Sequence, residues 1–157
     1  MKRIIFFLTL GLVLASCEKK QDVTQTQPSS EYRIAGTMSV QAGKEPFVAQ
    51  DTMLVVVNTE NQTLIIGMQK VQFTERMPKM DIYTEDVSYE QVGQLLVVEQ
   101  DTVIMTWGPE RVPYADCPVA HLKDTIDMQA KTMRFTCTFA HRLFGDMPAA
   151  FSGSFVE

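Results

Sequence analysis

From Tyr32 onward the chain is a succession of short runs rich in Val, Ile, Thr, Phe and Met, interrupted at intervals by turn residues, and this rhythm constrains the fold more than any other feature. In the first run Tyr32, Ile34, Gly36, Met38 and Val40 alternate with Arg33, Ala35, Thr37, Ser39 and Gln41, a period of two that gives a strand one apolar face. Ala42 to Pro46 supplies a turn, and Asn58 to Gln62 turns the run Thr52 to Val57 into Thr63 to Phe73, a predicted hairpin. Leu64, Met68 and Val71 also fall at helical spacing, so a helix competes over Leu64 to Met77; Ile65-Ile66-Gly67 and the surrounding pattern favour strand. Further runs cover Met80 to Tyr89, Leu95 to Trp107, Pro113 to Ile126, Met133 to Phe139 and Ala149 to Val156. About eight strands at this spacing predict an all-β fold, a small up-and-down antiparallel β-barrel whose closure removes both edges. The interior of such a barrel either fills with side chains or holds one small ligand.

Ahead of the barrel, Lys2 and Arg3 precede an apolar run from Ile4 to Leu14 that ends in small residues, the parts of a secretory signal peptide in their order. The run is too short for a permanent membrane span, which takes about 20 apolar residues. Leu14-Ala15-Ser16-Cys17 resembles the bacterial lipobox, and the resemblance implies cleavage between Ser16 and Cys17 with acylation of Cys17 as the lipid anchor. Two or three acyl chains hold a protein to a membrane stably, where one chain gives only marginal binding. Glu18 to Glu31 is polar, with Val23 its one aliphatic residue, and cannot bury enough surface to offset its ordering entropy. The predicted organisation is therefore a signal peptide over 1–16, a lipidated cysteine and flexible tether over 17–31, and a barrel domain over 32–157.

Charge narrows the partners. Loss of Lys2 and Arg3 takes 14 basic residues to 12 against 19 acidic ones, moving the formal balance from −5 to −7. An acidic chain without a Lys/Arg cluster lacks the footprint that holds phosphate backbones or anionic headgroups. No nucleic acid is expected as a partner, and no membrane contact beyond the lipid.

Three stretches, Tyr32-Arg-Ile-Ala-Gly-Thr-Met-Ser-Val40, Met77-Pro-Lys-Met-Asp-Ile82 and Phe151-Ser-Gly-Ser-Phe155, resemble the calycin-like, lipocalin-like lipoproteins of Bacteroidetes. The resemblance runs through the domain from about Tyr32 and implies a small up-and-down barrel behind a lipobox. The implied location is the bacterial cell envelope, with the outer membrane expected and its periplasmic and surface sides both open. It carries no catalytic motif onto this chain.

The residues themselves offer little chemistry. There is no nucleophile elbow, no His-Glu-x-x-His, no phosphate-cradling loop and no EF-hand series, so no enzyme, cofactor or catalytic residue is expected. Asp81, Glu85, Asp86 and Glu90 read as a solvated face. Cys117-Pro-Val-Ala-His121 is echoed by Cys137-Thr-Phe-Ala-His141, but residues four apart on a strand lie about 13 Å apart, too far to share one ion, and no metal is expected. A turn centred near Gln129 sets Cys117 opposite His141 and His121 opposite Cys137, whereas one centred near Asp127 brings the cysteines together. Cys117 and Cys137 are thus a candidate disulfide in one register and two buried thiols in the other.

Ten methionines serve either a core or an adaptable pocket. Met133, Phe135, Cys137 and Phe139 share one strand face, away from Arg134, Thr136 and Thr138, and are expected inside. Met38, Met133, Phe135, Phe139, Phe151 and Trp107 form the candidate ligand lining, with Trp107, just before Gly108-Pro109, placed near a barrel rim, to seal an end or gate a mouth. The expected function is an envelope lipoprotein whose barrel binds a small apolar or amphipathic molecule. The alternative is a solid barrel that binds an envelope protein or glycan through its surface.

Overall fold

Twelve antiparallel strand segments, with no helix among the described residues, form one sheet that curls into a half-barrel. The computed structural model describes residues 29–157. The predicted signal peptide, Cys17 and most of the predicted tether lie outside the described residues. In chain order the segments are β1 (Ser29–Val40), β2 (Phe47–Asn58), β3 (Thr63–Val71), β4 (Met80–Tyr83), β5 (Val87–Ser88) and β6 (Glu90–Val92). There follow β7 (Leu95–Val103), β8 (Thr106–Trp107), β9 (Val112–Pro113), β10 (Val119–Asp127), β11 (Thr132–His141) and β12 (Gly145–Val156). Their order across the sheet is β6-β7-β10-β11-β12-β1-β2-β3-β4-β8-β9, with β5 also on β3.

The expectation of about eight strands is corrected to twelve segments, and the cause is local. Three predicted runs are each broken. Asp86 takes a left-handed conformation (φ 40°) and parts β4 from β5. Residues 104 and 105 part β7 from β8 within the Leu95 to Trp107 run, and β6 lies between two predicted runs. In the Pro113 to Ile126 run, the Cys117 amide turns back to the Tyr114 carbonyl and Pro118 has no amide to donate, so pairing lapses between β9 and β10. A second boundary also moves: β1 begins at Ser29, not Tyr32, because Ser29 to Glu31 continue the ladder opposite Val56 to Asn58. The helix competing over Leu64 to Met77 is absent; β3 stands there, with Leu64, Ile66 and Met68 buried.

Short turns collect at one end of the sheet and long connections at the other. At the turn end the Asn58 side chain accepts from the Glu60 and Asn61 amides, and Asp127 does the same for Gln129 and Ala130. The loop end carries residues 41–46, 72–79, 104–118 and 142–144. Inward residues pack a continuous core in which Ile34, Met38, Met53, Ile126, Met133, Phe139 and Met147 are at most 1% exposed. As expected, Met133, Phe135, Cys137 and Phe139 point in.

Candidate functional site

The interior is built from the predicted lining and is full. Met38, Met133, Phe135, Phe139 and Phe151 are all buried, and Phe135 stacks on Phe151 with ring centroids 5.7 Å apart. A void of about 10 Å³ remains in the interior, room for about one water. Phe135 alone of the predicted lining residues borders it, with Met68, Thr84, Met105, Leu122 and Cys137 among its neighbours. Trp107 is placed differently from the rest: it is 47% exposed, paired with Val112 and Ile82 at the loop end, and lines nothing inside.

One polar residue breaks the apolar interior. Asp124 on β10 is 2% exposed, and its carboxyl oxygens make no well-formed hydrogen bond. Its register partners are Val98 on β7 and Phe135 on β11, both buried. Burial pushes its pKa up to about 8, with the Thr125 backbone amide pulling weakly the other way, so that the group is mostly a neutral acid at pH 7. The sequence signal was available: Leu122, Asp124 and Ile126 alternate with Lys123 and Thr125, placing an acid in phase with the core.

At the loop end the rings of Phe73 and Phe139 meet, tilted by 31°, with centroids 4.3 Å apart. Phe73 follows β3 and Phe139 belongs to β11, elements separated in the sheet by β12, β1 and β2, so the contact reaches across the concave face. Beside it lies an open groove of about 460 Å³ lined by Pro46, Phe47, Thr74, Arg76 and Phe144, with Glu45 and Glu75 at its edge. Among the described residues the Thr74 hydroxyl there is buried without a hydrogen-bond partner and Arg76 makes no ion pair. Sequence reading missed all of these, because the groove is assembled from three separate connections.

On the far side of the 142–144 turn, His141 and Tyr114 meet. The Leu143 amide donates to His141 Nδ1 at 3.0 Å, so the neutral ring carries its proton on Nε2, 3.0 Å from the Tyr114 hydroxyl oxygen. Phe144 packs on the imidazole at 4.7 Å and Trp107 lies 6.2 Å from Tyr114, which makes an aromatic row along the rim. Leu143, between them, is 81% exposed.

The two Cys-x-x-x-His units diverge. Val119 pairs with Phe139 and Ala120 with Thr138, and the Ala140 amide reaches the Pro118 carbonyl, the register of a turn near Gln129. A bulge follows, with His121 left-handed (φ 52°) and exposed. Both cysteines are free and buried, and burial raises the thiols to about 11 for Cys117 and about 12 for Cys137. Thiols so held are poor nucleophiles. Among the described residues no group of three His, Cys, Asp or Glu side chains is placed to hold a metal ion. The predicted acidic face is dispersed: Asp81 accepts from the Lys70 amide, while Glu85 takes the Thr106 hydroxyl at 2.7 Å and Arg111 at 3.0 Å.

No protein-family model matches the chain, and no curated protein matches it at a significant level.

Proposed function

We propose that the protein is a lipid-anchored binding module of the bacterial envelope that takes a small amphipathic molecule at its loop end. The observation that carries this reading is the 460 Å³ groove, a volume within the usual range of about 300–1,000 Å³ for ligand pockets. Phe47, Pro46 and Phe144 offer apolar contact, while Arg76 supplies a polar group that fixes orientation. The ligand site moves from the barrel interior, where it was expected, to the groove, because the interior void among the described residues is only about 10 Å³. The lipobox and the calycin-like resemblance support the anchor, the envelope location and the absence of catalysis.

The same proposal includes a closed up-and-down wall. It rests on β4 and β5 pairing with β3 while β4 also pairs with β8 and β6 with β7, so that the three short segments act as one broken stave between β3 and the β7–β8 run. Pairing of β1 with β12 completes the ring on the other side.

Native mass spectrometry of the mature chain carrying Cys17→Ser, purified from an envelope-expressing host without detergent, tests the binding reading. An adduct of a few hundred daltons that is lost in Phe144→Ala or Arg76→Ala supports the groove. A clean mass after exposure to a pool of lipids and other apolar molecules removes it. In that event the surface reading takes over, favoured by the exposed Leu143, Phe144, Trp107 and Val112 around the same rim.

A further inference from the structure

The contact between Tyr114 and His141 ties a turn, and it also floors a hollow of its own. A pocket of about 170 Å³ lies on this side of the 142–144 turn, lined by Tyr114, Asp116, His141, Arg142 and Leu143. It shares no lining residue with the groove. Its volume is that of about six waters, room for a ring-sized molecule. Backbone hydrogen bonds hold its walls together: the Arg142 amide donates to the Asp116 carbonyl at 3.0 Å, the Cys117 amide to the Tyr114 carbonyl at 3.2 Å and the Tyr114 amide to the Met105 carbonyl at 2.7 Å. A site fixed in advance loses little freedom when it is filled.

The pocket presents donors and acceptors side by side. His141 gives its Nε2 proton to the Tyr114 oxygen, which leaves the Tyr114 hydroxyl proton free to donate to a ligand. Arg142 brings donors alone and Asp116 acceptors alone. Their charged groups stand 3.9 Å apart on side chains 77% and 64% exposed, a pair too open to hold either one in place, so both can turn onto a ligand. A sugar hydroxyl donates and accepts at once, and two neighbouring hydroxyls match the fork of a guanidinium or a carboxylate. An anion would find Asp116 set against it, and an amine would find Arg142.

The apolar part has a matching form. Trp107, Tyr114, His141 and Phe144 follow one another with ring centroids 6.2, 6.1 and 4.7 Å apart. Trp107 and Phe144, at the two ends of this row, are each about half exposed. Open aromatic faces take the C–H faces of pyranose rings, and a row of them suits several linked sugars where a single platform suits one. A protein partner would cover the rings as well, but charged side chains are depleted at the centre of such interfaces, and here Asp116 and Arg142 stand beside the middle of the row.

We infer that this rim is a binding site for a neutral oligosaccharide, with one sugar ring seated in the pocket on Tyr114, Asp116 and Arg142 and its neighbours lying along the aromatic row. The ring's hydroxyls accept from the Tyr114 hydroxyl and the Arg142 guanidinium and donate to the Asp116 carboxylate. An anionic glycan is disfavoured twice, by Asp116 and by a chain whose formal charge is −5. The inference goes beyond the groove reading and does not depend on it, since the sugar and the groove's ligand occupy opposite sides of the 142–144 turn.

Trp107 is the one tryptophan of the chain, so its fluorescence reads the row directly. The experiment screens the mature Cys17→Ser chain against an array of bacterial, plant and animal glycans that includes maltohexaose, cellohexaose, mannohexaose and, as the acidic control, hexagalacturonate. Glycans that bind are then titrated in solution while Trp107 emission is followed. The expected result is that one or more neutral glycans bind and shift or quench the emission, that hexagalacturonate does not, and that the oligosaccharide binds more tightly than its monosaccharide. Arg142→Ala, Asp116→Asn and, by calorimetry, Trp107→Ala should each weaken binding by about tenfold, with folding checked by thermal unfolding. All three side chains are exposed, so the variants keep the core intact. If no neutral glycan binds, the inference is overturned and the row is left to a protein partner. Binding that is unchanged in Trp107→Ala and Arg142→Ala also overturns it, and loss in Arg76→Ala instead assigns the sugar to the groove.

Discussion

Gly36 and Gly153 lie opposite each other where β1 and β12 pair, and the ring of Phe151 covers both. A Cβ on Gly36 would stand 2.2 Å from the Ser152 carbonyl oxygen and 2.8 Å from the Phe151 ring tip. One on Gly153 would stand 2.6 Å from the Ala35 carbonyl oxygen and 2.7 Å from the same ring atom. Since the first clash in each case is with backbone, no rotamer change relieves it.

Alanine at either glycine should therefore cost about 1–3 kcal/mol or more, the range for overpacking a tight core. Urea unfolding of Gly36→Ala and Gly153→Ala measures it. Alanine at Gly43, where a Cβ meets nothing within 4 Å, should change stability by no more than a few tenths of a kcal/mol.

Asp124 predicts how stability varies with pH. Its pKa is about 8 in the folded protein against a model-compound value of 3.8, so the folded state holds a proton that the unfolded state gives up between those limits. The contribution to stability is full below about pH 4 and is lost as pH rises towards 8, at no more than about 1.4 kcal/mol per pH unit. Asp124→Asn should flatten this slope, and the gap in melting temperature between variant and parent should widen from pH 5 to pH 8. A gap that stays constant over that window contradicts the assignment.

The thiols should be silent in the folded protein. With both cysteines buried and free and their pKa values raised, Ellman's reagent at pH 8 should find no fast-reacting thiol until denaturant is added, when Cys117 and Cys137 should both appear. A rapid reaction under native conditions would count against this packing of β11.

His141 ties the 142–144 turn through both ring nitrogens. His141→Ala removes the acceptor for the Leu143 amide and the Tyr114 contact together, and should loosen the turn by about 0.5–1.5 kcal/mol. Tyr114→Phe removes only the second. Amide hydrogen exchange at Leu143 should therefore accelerate in His141→Ala and stay near the parent rate in Tyr114→Phe.

What the sequence disclosed follows from how far apart the responsible residues lie. The alternation of Met133, Phe135, Cys137 and Phe139 is local, and it gave the correct inward face of β11. The turn near Gln129 was one of two open registers, and the Asp127 side chain selects it by capping the Gln129 and Ala130 amides. Breaks within strands were harder to see, since a left-handed Asp86 or a turn at Tyr114 to Cys117 leaves the apolar rhythm intact on both sides. The groove and the Phe73–Phe139 contact were invisible, because each joins connections remote in the chain. Trp107 was read correctly as rim but wrongly as lining; a single aromatic before a turn does not say which face it takes.

The pairing of β1 with β12 has a consequence for synthesis. As the chain emerges, β1 can find β2 within a few tens of residues, but its other flank waits for the last strand to appear. Until then a long edge carrying Tyr32, Ile34 and Met38 is open to pairing with a neighbouring nascent chain. That joint has the greatest sequence separation in the domain, so it should close last and slowest. A polypeptide of this design is most exposed to aggregation just before β12 is made, and its need for a chaperone should fall with the residues around Gly153.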